Sequence, residues 1–303
     1  MSFPFSPFPS SVPAIFGTSG LFAGGYAGSG ANFTSAEMLT FATDTMAAAS
    51  GATVTTGKRE ANGESIPSKG FVFVGFTGSV HLNTADRYIF STGTVSQVAG
   101  AALTIGNSQN FSSTNNSICI SQRANLASKT TFSTETSVSS TAILGQSRYL
   151  NHQNGGGKKD KAFLTGGFTG TVHTNTTDRL TYATESSAIV AGAALSAIRS
   201  YVTVTHDLLS SYSMGGYASA SVQYATVQKI PFATETISTP AGAQLPQTRW
   251  SGASSGNAKK GYWTGGATTA VINDSRLLTF ATDTLTAVAS ANHITARYFH
   301  TGI

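Results

Sequence analysis

The sequence predicts an all-β chain: a six-bladed β-propeller closed by pairing of the C-terminal strand with the N-terminal blade. Three observations predict it. An aromatic followed by [Ala/Ser]-Thr-[acid]-Thr recurs six times, starting at Phe41, Phe90, Phe132, Tyr182, Phe232 and Phe280, at intervals of 49, 42, 50, 50 and 48 residues. A period near 50 holds four short strands and their turns, which suits a propeller blade and not a helical solenoid. Composition agrees: Ser and Thr make up about 27% of the 303 residues, Gly contributes 32, and only 10% are charged. Such a mixture favours strands and tight turns over long helices. The ends supply the third observation. The chain stops at Arg297-Tyr298-Phe299-His300-Thr301-Gly302-Ile303 and begins, after a proline-rich lead, at a later point of the repeat. Joining the two fragments completes one blade and pairs both terminal edges.

Each element of the repeat has its own signal. About 15 residues before the aromatic, a short apolar run ends in paired glycines: Gly24-Gly25, Gly166-Gly167, Gly215-Gly216 and Gly265-Gly266, with Gly75 alone in the second copy. Glycines inside a strand need a reason, and close approach of neighbouring backbones near the axis supplies one. About 17 residues after the aromatic comes an arginine, at Arg59, Arg148, Arg199, Arg249 and Arg297, opening a further strand. The third copy departs most. Ser121-Gln122 stand in the glycine position, and the shorter loop that follows accounts for the interval of 42.

The acid of the phrase is Asp44, Glu135, Glu185, Glu235 and Asp283, with Gly93 in copy two; the arginine is also missing only there, with Asn107 near its place. Joint loss is the mark of an ion pair, because a lone buried charge costs more than none. These residues are therefore expected to form structural pairs of phrase acid with later arginine, not a catalytic site.

Copies two, four and six share features that the others lack. Lysines precede the glycine strand at Lys69, at Lys158, Lys159 and Lys161, and at Lys259 and Lys260. An Asp and an Arg follow in the next loop: Asp86-Arg87, Asp178-Arg179, and Asp274 with Arg276. Copies two and four also match at His81 with Asn83 and at His173 with Asn175. The array reads as a duplicated two-blade unit with approximate threefold repetition. The lysines either keep a charge-poor surface soluble or form a basic face for an acidic glycan or protein. The six lysines together with His81, Asn83, His173 and Asn175 are the candidate partner contacts.

Apolar strand, paired glycine, downstream aromatic and later arginine resemble kelch-type repeats. Blades phrased Tyr/Phe-x-Gly-Gly and Phe-Ala-Thr-Asp-Thr are similar to kelch-like proteins of tailed bacteriophages, notably those of marine bacteria and cyanobacteria. The likeness covers residues 15–303, although the tryptophan of standard kelch repeats is missing. It implies a virion protein, made in the host cytoplasm, with other virion proteins as partners and host cell-surface polysaccharide as a further one.

The remaining signals constrain function mainly by what they lack. A net charge of +5 is modest for a nucleic-acid binder. The single Cys119 reads as a small buried hydrophobe. No run of 18 apolar residues and no signal-peptide pattern occurs, so neither membrane insertion nor a leader is expected. The six histidines (His81, His152, His173, His206, His293 and His300) show no metal-ligand spacing, and no nucleophile elbow, phosphate loop or dinucleotide fingerprint is present. No cofactor is expected. Residues 1–14 contain Phe3, Phe5 and Phe8 between prolines, a segment that either packs on the propeller or anchors it to a partner. The expected function is a non-enzymatic tail-associated adhesin. A capsid or tail decoration protein is the alternative, and a carbohydrate-active enzyme the third reading.

Overall fold

The computed structural model describes residues 17–303 apart from 29, 31, 106–110, 116, 150–152, 155, 158, 159 and 220. Phe3, Phe5, Phe8, Asn107, His152, Lys158 and Lys159 lie outside the described residues. Six antiparallel blades surround an axis, and no α-helix occurs among the described residues. In blade 1 the strand order is Thr301–Gly302, Ser19–Ala23, Ala36–Thr40, Thr45–Ala48, so the end of the chain supplies the first strand of the blade that its beginning started. Leu21 and Ile303 exchange two backbone hydrogen bonds of 2.9 Å across this seam. The propeller closes as the split repeat predicts.

Blade 2 runs Asn62–Ile66, Lys69–Phe76, His81–Ile89, Thr94–Gln97, and blade 3 runs Phe111–Thr114, Ile118–Arg123, Leu126–Thr131, Thr136–Ser139. Blade 4 follows with Gly156–Gly157, Lys161–Phe168, His173–Thr181, Ser186–Ile189. Blade 6 has Ala253–Gly256, Lys260–Thr264, Ser275–Thr279, Thr284–Ala287. Blade 5 keeps Thr203–His206, Ser210–Met214 and Val227–Pro231, with its fourth strand reduced to a bridge between Lys229 and Ser238. First strands of neighbouring blades lie against one another around the axis. Fourth strands are the outer, largely exposed edge.

The repeated phrase is the turn between the third and fourth strands. Its aromatic is buried in every copy but the second, where Phe90 is half-buried, and it packs on the second strand of the preceding blade: Phe41 stacks on Tyr262, Phe232 on Phe163, and Phe132 tilts against Phe71, with ring centroids 5.5–5.6 Å apart. The core is accordingly divided into clusters between blades, such as Phe22, Leu39, Phe41, Ala253 and Tyr262 between blades 6 and 1. The acid sits in the left-handed region, with φ of 55° at Asp44 and 54° at Glu135. Flanking hydroxyls meet across it, 2.7 Å apart for Thr43–Thr45 and Thr134–Thr136. That contact explains why Thr stands on both sides of the acid. Gly93 adopts the same conformation without strain, at φ 68°.

The glycine pair has a more local cause than crowding at the axis. It ends the second strand, and the first glycine of each pair has φ near 60–68°. A Cβ there would meet the carbonyl oxygen of the next linker's cation, at 2.4 Å from Arg199 for Gly166 and 2.5 Å from Arg297 for Gly265. In blade 3 hydrogen bonding identifies the equivalent residue as Ala124, not Ser121-Gln122. The Ala124 N–H donates to Arg148 O just as the Gly25 N–H donates to Lys58 O, both at 2.8 Å. A two-residue turn then joins Arg123 to Leu126, which shortens this copy.

Candidate functional site

Strand direction gives the propeller two unlike faces. Turns joining strands one to two and three to four lie on one, here the turn face. Loops joining strands two to three, and the linkers between blades, lie on the other, the linker face. Register fixes the assignment: in blade 2 Lys69 pairs with Ile89 at the turn end, and Phe76 with His81 at the linker end.

On the turn face every phrase acid is paired, but not with the later arginine. Each takes a cation from the preceding blade. Asp44 accepts from Lys260 at 2.6 Å, Glu135 from Lys69 at 2.5 Å and Arg87 at 2.7 Å, and Glu185 from Lys129 at 2.6 Å. Glu235 accepts from Lys161 at 2.6 Å and Arg179 at 2.9 Å, and Asp283 from Lys229 at 2.8 Å. Burial pushes the Asp44 carboxyl up, yet hydrogen bonds from Lys260 and Tyr262 outweigh it and hold the group below its ordinary value. Glu135 and Glu235 are lowered by their Lys and Arg partners against the same opposition from burial. Copy two lacks the acid because blade 1 offers no cation, having Ser19 and Met38 where blade 2 has Lys69 and Arg87.

The later cations point inward instead, to the third strand of the next blade. Arg148 pairs with Asp178, both fully buried, and also donates to Gly166 O at 2.7 Å and Leu164 O at 3.0 Å. Arg249 pairs with Asp274, and Arg297 with Glu37 at 2.7 Å. Arg199 meets neutral groups, including Gln228 Oε1 and, at 2.6 Å, the Thr226 hydroxyl. Between blades 1 and 2 the buried cation is Lys58, bonded to Asp86 at 2.7 Å, and not Arg59. Arg59 comes one residue later and lies over Tyr26 and Phe76, 4.6 and 5.1 Å from their centroids. The Asp-Arg pairs of blades 2 and 4 are thereby explained. Neighbours on a strand face opposite ways, so Asp86 and Asp178 turn to a buried cation while Arg87 and Arg179 turn to the phrase acid of the next blade.

Arg59 belongs to a belt on the linker face. Residues that follow the glycine pair (Tyr26, Phe76, Phe168, Tyr217) meet those that follow the buried cation (Tyr149, Tyr201, Trp250, Tyr298, Phe299). Starting from blade 2, His81 lies 4.6 Å from Phe76, which Arg59 links to Tyr26; Tyr26 is 5.7 Å from Tyr298, and Tyr298 5.7 Å from Trp250. Trp250 continues to Tyr217 at 5.3 Å, Tyr217 to His173 at 5.7 Å, His173 to Phe168 at 4.9 Å, and Phe168 to Tyr149 at 5.7 Å. Tyr201 and Phe299 fill the inner side, 5.6 Å apart. All of these rings are half-buried except exposed His81. Beneath them a backbone chain runs Glu60 N–H to Phe299 O, Phe299 N–H to Ser251 O and Ser251 N–H to Tyr201 O, at 2.9–3.1 Å. This ties linkers from separate blades into one platform. Farther in, Gln153–Asn154 pair in parallel with Phe111 and Ser112 and lie against the first strands of blades 2 and 5, so the axial space holds the chain's own linker.

The predicted contact residues divide between the faces. Lys69, Lys161 and Lys260 are on the turn face, engaged by carboxylates, with Lys259 exposed beside them. His81, Asn83, His173 and Asn175 start third strands on the linker face. His173 Nδ1 lies 2.9 Å from the Ser200 hydroxyl, and Asn175 donates to Leu195 O at 3.1 Å. The aromatic belt was not among the sequence expectations, although its signal is present: an aromatic follows the glycine pair in copies one, four and five, and follows Gly75 in copy two.

One buried cluster and one buried carboxyl remain. His293 Nδ1 meets Glu37 at 2.8 Å, and His293 Nε2 lies 2.9 Å from both the Thr264 hydroxyl and His300 Nε2. Glu37, Thr264, His293 and His300 are all buried, so this hydroxyl–imidazole–carboxylate array has no substrate access and serves the seam between blades 6 and 1. Glu64, on the first strand of blade 2, is pushed up to about 8 by burial. No group of three or more His, Cys, Asp or Glu residues suited to a metal ion occurs among the described residues. No family model matches the chain, and no curated protein matches it.

Proposed function

We propose that this propeller is a non-enzymatic binding module of a bacteriophage particle, acting as a tail-associated adhesin that contacts the host surface through its linker face. The observation that carries the binding reading is the belt of half-buried Tyr, Trp, Phe and His rings with Arg59. Aromatic residues and arginine dominate the energetics of recognition surfaces, and these are assembled from several blades on one rigid platform. The phage assignment rests on the likeness of the repeated phrases to phage kelch-like blades. Other virion proteins are then the partners on the particle, and host polysaccharide or protein the partner outside it.

The test is competition. Purified protein added to bacterial cells before the phage should reduce adsorption in proportion to its concentration, and labelled antibody should decorate the tail of assembled particles. A protein that decorates the capsid and leaves adsorption untouched would fit the decoration role instead. Release of reducing sugar from host glycan would replace both with an enzyme.

A further inference from the structure

We infer that the aromatic belt is a stacking site for an uncharged glycan, centred on Trp250 and Tyr217 and extending to Tyr298 and Tyr26. This rests on the adhesin reading and names its ligand class. Three observations carry it.

The first is electrostatic. Described lysines of the two-blade repeat sit on the opposite face, and Lys69, Lys161 and Lys260 are already neutralised by Glu135, Glu235 and Asp44. At the belt Arg59 is spread over the rings of Tyr26 and Phe76, and Arg123 lies over the ring of Tyr149, 5.2 Å from its centroid. A polyanion needs clustered free cations, and the belt does not supply them.

The second is ring geometry. Neighbouring rings meet at interplanar angles of 44° for Tyr217–Trp250, 78° for Trp250–Tyr298 and 53° for Tyr26–Tyr298. The belt therefore shows alternating ring faces and edges, not one flat apolar sheet. A sugar ring has an apolar C–H side for the π faces and a hydroxyl perimeter for polar edges. Phenol hydroxyls of Tyr217, Tyr298 and Tyr26 supply those edges.

The third is rigidity. The linkers that bear Tyr201, Trp250 and Phe299 are joined by the backbone chain through Ser251, and Arg249 and Arg297 anchor the residues just before Trp250 and Tyr298. Pre-ordered rings avoid the entropy cost that weakens flexible sites.

A printed array of neutral and acidic bacterial polysaccharides tests this, read with the intact protein and with Trp250→Leu, Tyr217→Leu and Lys259→Ala. Binding is expected on neutral spots. It should fall at least tenfold in Trp250→Leu and in Tyr217→Leu, with an unchanged melting temperature, and stay intact in Lys259→Ala. Because Trp263 is fully buried, the ligand-induced fluorescence change should report Trp250 and vanish in its variant. Binding confined to acidic spots, or neutral binding indifferent to both aromatic substitutions, overturns the stacking site while leaving the adhesin reading in place. Adsorption to cells that protease treatment abolishes, with no glycan bound, replaces the ligand by a protein. No binding to glycan or cells overturns both. Should either leucine variant lower the melting temperature, Tyr298→Phe serves in its place. It keeps the ring and removes one hydroxyl, and an affinity unchanged by it on every neutral spot counts against the polar-edge contact.

Discussion

The two faces of this propeller spend their charged residues differently. On the turn face each ion pair repeats with the blade, is partly exposed and follows a simple rule: an acid wherever the preceding blade offers a cation. Beneath the linker face the cations are fully buried, and their partners vary from Asp178 to Glu37 to the neutral Gln228. The difference is one of dielectric. A partly solvated pair is worth little and can be lost in a matched step, as with Gly93 opposite Ser19 and Met38. A dry cation must be satisfied by whatever the next strand supplies, because stranding it is costly.

Breaking the buried set should give the largest effect. Asp178→Ala leaves Arg148 enclosed without a counter-charge and should lower unfolding stability by about 3–5 kcal/mol, measured by urea denaturation. Asp178→Asn should recover part of that, since Arg199 is held by neutral oxygens alone. A loss under about 1 kcal/mol, the value of an exposed pair, would erase the distinction between the two sets.

The buried Glu64 gives an effect that is small at pH 4 and grows with pH, with a defined sign. Its folded value of about 8 is raised above the ordinary 4.5. The contribution is fully present below pH 4.5 and declines as pH rises towards 8, because the unfolded chain releases the proton first. Glu64→Gln should therefore raise the melting temperature most at pH 8 and scarcely at pH 4. An equal shift at both values would show that ionisation is not the cause.

The smallest effect belongs to the turn face. Glu135→Ala should cost less than about 1 kcal/mol despite removing two contacts, and the cost should shrink further in high salt. A salt-independent loss of several kcal/mol would place that pair with the buried ones.

Blade number and ring closure were legible because one environment is sampled six times, and periodic residues report a shared environment well. Partners were less legible. Joint absence of Gly93's acid and of an arginine near Asn107 fits a pair within one copy, yet the phrase acid looks back one blade while the later cation looks forward one. Gly93 answers to Ser19 and Met38, and blade 3 carries Ser128 where blades 2 and 4 carry Asp86 and Asp178. A period alone cannot give the direction of a contact between neighbours. Placing the buried cation at Arg59 failed for a similar reason. Spacing alone picks out Lys58, and side-chain type favoured its neighbour. The aromatic belt was hidden because its rings come from two different points of the repeat that only folding brings together.

Ile303 seats its side chain where Gly63 and Gly70 of blade 2 leave room; a Cβ on either would lie within 2.4 Å of it. Ile303 thus wedges between the first two blades. During synthesis each blade can form in turn from contacts close in sequence, but this wedge must wait until residue 303 has left the ribosome. Until then blade 1 has an unpaired inner edge, and the final docking joins segments some 280 residues apart. Closure is therefore a long-range event, and a chain not yet extended to residue 303 is exposed to sticking through that edge.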